Sequence, residues 1–166
     1  MLEIIKGNLL EAKEQYICHQ ANCVSKGAGG LAYHLFNKYP YSNVYLKREI
    51  PNTHKTIPDV PGTIKICGDG IDQRYVINMF GQYFPGAPGT YSSIYEVEYL
   101  PDSLEDRETY FQMCLDEISN INHFKGLVFP DHIGCGLGGG VWKNYLKMIE
   151  KFSNNSPDVD VKIYKL

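Results

Sequence analysis

The fold of this chain is decided by residues 127–141, which read LVFPDHIGCGLGGGV. The stretch begins with an apolar run typical of a buried strand, and the residues after it repeat apolar side chains at helical spacing. Between these elements, five of the seven residues from 134 to 140 are glycine. Glycines let backbone N–H groups approach an anion closely, and the positive end of a following helix points at the same place. The stretch therefore predicts a strand, a phosphate-binding loop and a helix, since an unliganded turn needs only one or two glycines.

A second glycine cluster, residues 26–30 (KGAGG), follows the strand-like run 16–23 and also precedes a helix. The apolar face of that helix continues until Pro40, which ends it. Two such loops in a chain of this size predict a ligand with two phosphates, or with a phosphate and a sugar. We expect a bulky side chain at Gly136 or Gly138 to abolish binding and to leave the fold intact.

Composition favours one globular domain over residues 1–166, because 43% of the residues are hydrophobic and 21% are charged. The formal charge is −3 and the only adjacent basic pair is Lys47-Arg48, so the chain lacks the basic footprint of a nucleic-acid binder. No apolar run is long enough for a signal peptide or a membrane span. Five cysteines without a Cys-x-x-Cys motif indicate reduced thiols, and we expect a soluble protein of the cytoplasm.

Short apolar runs bounded by Gly and Pro predict six strands, and helical periodicity predicts four helices. The predicted strands are 3–6, 16–19, 62–67, 74–80, 126–130 and 159–165. The predicted helices are 30–38, 41–48, 104–120 and 141–152. This alternation favours an α/β sandwich. The segment 81–101 is rich in Tyr, Gly and Pro, and it is predicted to be a flap over the site or else a solvated linker.

Three other phosphate-site motifs fit the glycine-rich stretch poorly. Residues 134–139 match the G-x-G-x-x-G dinucleotide pattern, but that fingerprint belongs to the first strand of a long sheet, and one further strand is predicted here. A P-loop needs Lys where Gly140 stands, and a cysteine phosphatase needs Arg where Val141 stands. Cys135 is therefore interpreted as a small residue that lines the loop rather than as a nucleophile.

Cys18, His19 and Cys23 are close enough in sequence to suggest a metal site. No fourth residue has zinc-like spacing, and neighbouring residues of a strand point to opposite faces of the sheet. We therefore predict neither a metal ion nor a cofactor.

The motifs taken together resemble those of macrodomains, the ADP-ribose-binding fold. They are KGNLL at residues 6–10, HQANC at 19–23, the Gly-Ala-Gly-Gly loop at 27–30 and FPDHIGCGL at 129–137. They cover essentially the whole chain in order. The nearest subgroups are the terminal ADP-ribose protein glycohydrolases and the ADP-ribose 1″-phosphate phosphatases. The resemblance implies a three-layer α/β/α sandwich with a mixed sheet of about six strands.

The resemblance also implies roles for particular residues. Asn8 would accept a hydrogen bond from the adenine amino group; many macrodomains have Asp there, and an Asn carbonyl can still accept. Asn22 would face the distal ribose, and the two glycine loops would hold the diphosphate. Phe80 would shield the distal ribose or else pack in the core. The predicted ligand-binding residues are Asn8, Leu9, Leu10, Asn22, Gly27, Ala28, Gly29, Gly30, Leu31, Phe80, Ile133, Gly134, Cys135, Gly136, Leu137, Gly138 and Gly139.

Two positions separate the chain from the glycohydrolase subgroup. That subgroup uses a Lys in the strand before the flap and an Asp after Gly-Cys-Gly-Leu, whereas here residues 76–80 contain no Lys and Gly138 follows the motif. The resemblance therefore implies a water-based mechanism rather than a lysine adduct. The predicted catalytic residues are Asn22, His19 and His132, which could position a water and supply a base.

The predicted function is binding of ADP-ribose together with hydrolysis of a derivative by an activated water. The derivative would be ADP-ribose 1″-phosphate or an ADP-ribosylated protein. The alternative is a reader that binds ADP-ribose without turning it over. A Rossmann-type oxidoreductase is a third interpretation, which tighter binding of NAD than of ADP-ribose would indicate.

Overall fold

The computed structural model describes residues 1–53, 55–89 and 95–166. In this part of the chain, six strands form a sheet with the order β1-β6-β5-β2-β4-β3. They are β1 (Leu2–Lys6), β2 (Tyr16–Ala21), β3 (Ile64–Cys67), β4 (Tyr75–Phe80), β5 (Gly126–Pro130) and β6 (Asp160–Lys165). Neighbouring strands pair in parallel except β3 and β4, which are antiparallel. The six predicted strands and the mixed sheet are thus confirmed.

Three α-helices lie close to their predicted positions: α1 (Gly30–Lys38), α2 (Leu104–Ser119) and α3 (Trp142–Asn154). α2 begins with a capping box, in which the Ser103 hydroxyl accepts from the Asp106 N–H at 3.0 Å and the Asp106 carboxylate accepts from the Ser103 N–H at 2.9 Å. This reciprocal pair satisfies two N–H groups that a helix end otherwise leaves without partners.

The predicted helix over residues 41–48 is wrong. The segment forms two short 3₁₀ helices instead, Pro40–Ser42 and Val44–Lys47. Asn43 separates them, because its side-chain oxygen accepts a hydrogen bond from the Tyr45 N–H at 3.1 Å and starts a new turn. Asn side chains commonly compete with the helix in this way.

The helices cover both faces of the sheet. Successive residues of β2 point to opposite sides: Ile17 packs with Leu35 of α1, whereas Cys18 packs with Phe111 of α2. Ile149 of α3 belongs to the same cluster as Cys18. The chain is therefore a three-layer α/β/α sandwich, as predicted.

Parallel strands bring the loops after β2 and β5 to the same edge of the sheet, and the loop after β4 joins them there. In open α/β sheets this carboxyl edge is the usual position of a ligand. The 26–30 and 134–140 loops both lie at this edge. Among the described residues, no helix is long and apolar enough to cross a membrane.

Candidate ligand-binding cavity

A cavity of about 470 Å³ opens at the carboxyl ends of β2 and β5, which is a size suited to a nucleotide-like molecule. The 26–30 loop, the 134–140 loop and the segment after β4 each contribute to its lining. The lining residues are His19, Gln20, Ala21, Asn22, Ser25, Gly27, Gly29, Gly30, Leu31, Ala32, Tyr45, Gln82, Pro85, Gly86, Pro130, Asp131, His132, Ile133, Gly134, Gly136, Leu137 and Gly138.

In the 134–140 loop, three consecutive backbone N–H groups have no partner among the residues that the structure describes. Its internal hydrogen bonds run from Gly139 N to Gly136 O at 3.1 Å and from Gly140 N to Gly134 O at 3.0 Å. The N–H groups of Gly136, Leu137 and Gly138 donate to no residue that the structure describes. Successive free N–H groups in such a turn form a concave site for an anion.

The 26–30 loop ends at the N-terminus of α1. Gly29 is the N-cap of this helix, and no side chain caps it. The first N–H groups of a helix have no partner within the helix, and they carry its positive end. Leu137 of the other loop lies next to this terminus, because its Cδ1 would be 3.9 Å from a Cβ on Gly29. The N-terminus of α1 and the 134–140 loop therefore line the same cavity.

The glycines of the two loops differ in how much room surrounds them. A Cβ built on Gly136 or on Gly27 would meet nothing within 4 Å. A Cβ on Gly138 would lie 2.8 Å from the backbone oxygen of Gly134, and one on Gly140 would lie 2.7 Å from the same atom. Bulk at Gly138 would therefore strain the loop itself, contrary to the expectation that it acts on binding alone, whereas the open space at Gly136 agrees with that expectation.

Asn22 lies on the first turn after β2, and its amide is held firmly. Its Oδ1 accepts from the N–H groups of Val24 at 3.1 Å and Ser25 at 2.8 Å, and its Nδ2 donates to the Tyr45 hydroxyl at 3.2 Å. These contacts fix which end of the amide is which. Asn22 therefore offers a ligand the remaining N–H of Nδ2, while its oxygen is occupied by the backbone.

A buried arginine holds the turn that carries Asn22. Arg48 is 2% exposed; it donates to the backbone oxygens of Asn22 at 2.5 Å and Ser25 at 2.9 Å, and its ion pair with Asp59 measures 2.8 Å. The sequence did not predict a role for Arg48, because the pair Lys47-Arg48 resembles a solvated surface patch. Its local sequence, in which Lys47 precedes it, gives no signal of burial.

A second buried arginine binds the 134–140 loop and the segment after β4. Arg107 of α2 pairs with Asp102 at 2.6 Å, and both side chains are at most 4% exposed. Arg107 also donates to the backbone oxygens of Gly138 at 2.9 Å and Gly86 at 2.6 Å. Asp102 in turn accepts from the Tyr83 N–H at 2.8 Å. One ion pair thus joins α2, the 134–140 loop and the segment after β4.

The predicted flap over residues 81–101 is only partly observable, because residues 90–94 lie outside the described residues. Within it, the backbone of residues 83–86 is hydrogen-bonded to Arg107 and Asp102, and the role of the segment as a flap stays a prediction. Gln82 within it accepts a hydrogen bond from Gln20 Nε2 at 2.7 Å. These two glutamines line the cavity and were also missed from the sequence.

His19 does not have the surroundings of a catalytic base. Its side chain lies beneath α1, where Phe36 packs edge-on against the ring, and it is 1% exposed. Its Nε2 is 2.6 Å from Asn78 Oδ1, whose amide nitrogen donates to backbone oxygens, so Nε2 carries the proton. Burial lowers the pKa of His19 to about 4. His19 contributes to the cavity lining, and these surroundings favour a structural role, so its catalytic role stays a prediction.

His132 is the accessible histidine of the cavity. Its side chain is 56% exposed, and its Nδ1 lies 2.8 Å from the Asp131 carboxylate. The ring stacks on Trp142 with centroids 5.0 Å apart. The backbone φ of His132 is +59°, an uncommon conformation for a residue with a side chain. Asp131 orients the imidazole so that Nε2 is left available.

Seven predicted ligand-binding residues do not line the cavity: Asn8, Leu9, Leu10, Ala28, Phe80, Cys135 and Gly139. Phe80 is 2% exposed and packs in the core with Tyr83, so it does not shield a ligand. Asn8 Oδ1 accepts from the Leu10 N–H at 3.0 Å, at the start of a 3₁₀ helix, Leu9–Glu11. Leu9 is buried in a cluster against which Leu31 of the cavity wall packs.

Cys135 also lies away from the cavity surface. Its Sγ is 3.4 Å from the backbone oxygen of Ile133, and partial burial raises the pKa of the thiol to about 11. A neutral thiol is a poor nucleophile, which agrees with its interpretation as a loop residue. Among the described residues, no three His, Cys, Asp or Glu side chains come together as a metal site.

Comparisons with known proteins identify the fold. No protein-family model and no curated protein matches the sequence. Solved structures match over nearly the whole chain. The macrodomain of Mycobacterium tuberculosis DarG has a TM-score of 0.64 at 18% identity, with 100% of this chain and 98% of that one covered.

Two other similar structures contain a bound nucleotide. A mutant Oceanobacillus iheyensis macrodomain with ADPR (ADP-ribose) has a TM-score of 0.58 at 18% identity, with 98% of this chain and 83% of that one covered. The Trypanosoma brucei macrodomain in complex with ADP has a TM-score of 0.62 at 14% identity, with coverages of 99% and 64%. The chain therefore has the macrodomain fold, as its motifs predicted.

Proposed function

We propose that this chain binds ADP-ribose in the cavity between the two glycine loops. The observation that carries the proposal is the row of N–H groups at Gly136, Leu137 and Gly138 without a described partner, in the same cavity as the N-terminus of α1. A diphosphate fits these donors, because each of its phosphates presents acceptor oxygens at the spacing of successive N–H groups. The macrodomain structures with ADPR and with ADP support the same ligand class.

The proposed position of the diphosphate determines where we expect the distal ribose and the adenine. The distal ribose lies toward Asn22, whose free Nδ2 hydrogen can donate to a hydroxyl oxygen. We expect the adenine beyond Leu31, which lines the cavity, and toward the turn at Asn8, which lies outside the lining. Asn8 Oδ1 already accepts from the Leu10 N–H, but a carbonyl oxygen has a second lone pair for the adenine amino group.

Binding is tested by titration calorimetry and thermal unfolding with ADP-ribose, ADP and NAD. A micromolar Kd for ADP-ribose, with about 2.7 kcal/mol of added stability at a hundredfold excess over Kd, is the expected result. The absence of heat and of stabilisation at millimolar ADP-ribose would contradict the proposal. Tighter binding of NAD than of ADP-ribose would instead favour the oxidoreductase.

Hydrolysis of an ADP-ribose derivative is the catalytic form of this proposal. Asp131 and His132 form a carboxylate–histidine pair on the cavity wall, 2.8 Å apart. A neutral imidazole held by Asp131 through Nδ1 can take a proton from a water at Nε2. That water would attack the phosphorus of the 1″-phosphate and release inorganic phosphate and ADP-ribose, or would attack C1″ of the distal ribose and release the protein side chain with its proton; Asn22 would hold the adjacent sugar.

A non-catalytic reader is the second candidate, and one observation favours it. The Asn22 oxygen is occupied by the Val24 and Ser25 N–H groups, and His19 is buried, so His132 is the remaining base of the three predicted catalytic residues. An assay of phosphate release and of protein de-ADP-ribosylation separates the two forms. Turnover that falls about a hundredfold in His132→Ala supports the hydrolase, and binding without turnover of either substrate supports the reader.

A further inference from the structure

Tyr45 lies against the cavity, although neither the glycine motifs nor the resemblance pointed to it. It belongs to the 3₁₀ helix Val44–Lys47 and is 4% exposed. Its ring is held from two sides: the Arg48 guanidinium lies 4.3 Å from its centroid, and Phe36 packs edge-on at 5.2 Å. The direction of the Tyr45 hydroxyl is therefore fixed by packing.

The hydroxyl oxygen of Tyr45 acts as an acceptor twice. It accepts from the backbone N–H of Asn22 at 3.1 Å and from Asn22 Nδ2 at 3.2 Å. The amide of Asn22 cannot be reversed, because its oxygen accepts from the N–H groups of Val24 and Ser25. No described residue accepts the hydroxyl proton of Tyr45. Burial raises the pKa of Tyr45, so the group keeps this proton at neutral pH.

We propose that Tyr45 contacts the ligand directly and that its hydroxyl donates a hydrogen bond to an oxygen of the terminal sugar. This inference rests on the proposed function, which puts that sugar beside Asn22. The Tyr45 hydroxyl and the second hydrogen of Asn22 Nδ2 form a neighbouring pair of donors with their acceptor atoms already occupied. This pair of donors would bind a group with acceptor oxygens, such as a sugar hydroxyl. A ligand that ends at the diphosphate would leave both donors without a partner in the ligand.

The proposal predicts a specificity that titration calorimetry can measure. Tyr45→Phe removes the hydroxyl and keeps the ring that packs on Arg48. We expect affinity for ADP-ribose to fall about three- to tenfold, the usual effect of one neutral hydrogen bond, and affinity for ADP to stay unchanged. Tyr41→Phe is the matched control, because the Tyr41 hydroxyl donates to the Arg74 backbone oxygen and does not line the cavity.

Three results of this titration would contradict the inference, and they differ in what they mean for the proposed function. Wild-type affinity for ADP-ribose in Tyr45→Phe overturns the inference while leaving the proposed function intact. An equal loss for ADP and ADP-ribose also overturns it, since the hydroxyl would then only support the loop. A wild type that binds neither ligand defeats the proposed function and the inference together.

A crystal structure of the wild type with ADP-ribose provides a measurement that does not depend on the folding of a variant. The Tyr45 hydroxyl within hydrogen-bond distance of a terminal-sugar oxygen supports the inference. A hydroxyl farther than about 3.5 Å from every oxygen of that sugar overturns it.

Discussion

The two glycine loops look alike in sequence but use their glycines for different reasons. In the 134–140 loop, Gly138 and Gly140 are required by the protein itself, since a Cβ on either would collide with the Gly134 backbone oxygen. In the 26–30 loop, Gly27 has open space above its Cα, and Gly29 nearly so. A glycine needed for packing keeps the loop folded, whereas one facing open space leaves room for a ligand. Gly136 is the member of the 134–140 loop that belongs to the second kind.

The two buried arginines, Arg107 and Arg48, differ in how exposed their acidic partners are. Arg107 and its partner Asp102 are both nearly inaccessible, whereas Asp59, the partner of Arg48, is 30% exposed. An unpaired carboxylate costs more the more completely it is removed from water. The 134–140 loop therefore depends on a fully buried ion pair, and the Asn22 turn depends on a partly hydrated one.

The largest expected effect comes from breaking the buried pair. Arg107→Met leaves Asp102 uncompensated and removes a donor to the Gly138 oxygen. We expect a loss of about 3–5 kcal/mol in the free energy of unfolding. Arg48→Met should cost less, because water still reaches Asp59. Urea unfolding of both variants measures this, and equal losses would contradict the proposed difference between the two walls.

Acid should destabilise the strand beneath the Asn22 turn. The pKa of His19 is lowered to about 4 by burial, so between pH 6.5 and 4 the unfolded chain binds a proton that the folded chain does not. Stability contributed by neutral His19 is therefore complete above pH 6.5 and is lost as the pH falls toward 4. We expect a slope of up to about 1.4 kcal/mol per pH unit.

His19→Gln is the comparison for this pH dependence, since it replaces the titrating ring with an amide. Unfolding free energies of both proteins are measured from pH 7 to pH 4. A wild-type curve parallel to that of His19→Gln over this interval would show that His19 titrates normally in the folded chain.

Adding one methyl group at Gly138 or at Gly136 compares the two kinds of glycine within the 134–140 loop. Gly138→Ala places a Cβ 2.8 Å from the Gly134 oxygen and from Gln82 Oε1, and we expect a loss of about 1–3 kcal/mol. Gly136→Ala meets nothing within 4 Å and should change stability by less than about 0.5 kcal/mol. Thermal or urea unfolding gives both values. A Gly138→Ala protein as stable as wild type would remove the packing explanation of this loop.

Ligand binding tests the two glycines that face open space, Gly136 and Gly27. Gly136→Val and Gly27→Val fill open space beside the free N–H groups, so we expect at least about a tenfold weaker affinity for ADP-ribose without a change in stability. Lys147→Ala on α3, which does not line the cavity, is the control for mutation elsewhere. Unchanged affinity in both glycine variants would mean that the ligand does not enter the space between the loops.

Local patterns predicted the elements of the fold well, and they failed where a side chain redirected the backbone. All six strands were predicted because short apolar runs between Gly and Pro are typical of the buried strands of a mostly parallel sheet. The helix predicted over residues 41–48 failed because the Asn43 side chain starts a new turn. The motif order of the chain predicted the macrodomain fold, since glycine loops at fixed places between strands are a sequence property.

The site was predicted less completely, because its residues act through partners distant in sequence. Asn22, His132 and the open glycines were predicted and line the cavity. His19 was predicted to be a base, but its pairing with Asn78, 59 residues away, holds it in the core. Tyr45 and Gln20 were missed, since nothing in their local sequence distinguishes them from core or surface residues.

The sequence by itself determined the alternation of strands and helices, the two glycine loops and the positions where Lys and Asp are missing. These are properties of residue type and spacing, which short-range sterics convert directly into structure. Only the tertiary structure decided which glycines face open space, which histidine is accessible and that Arg48 and Arg107 are buried. Burial, pKa and hydrogen-bond partners depend on how distant segments pack, so they are undefined until the sheet has formed.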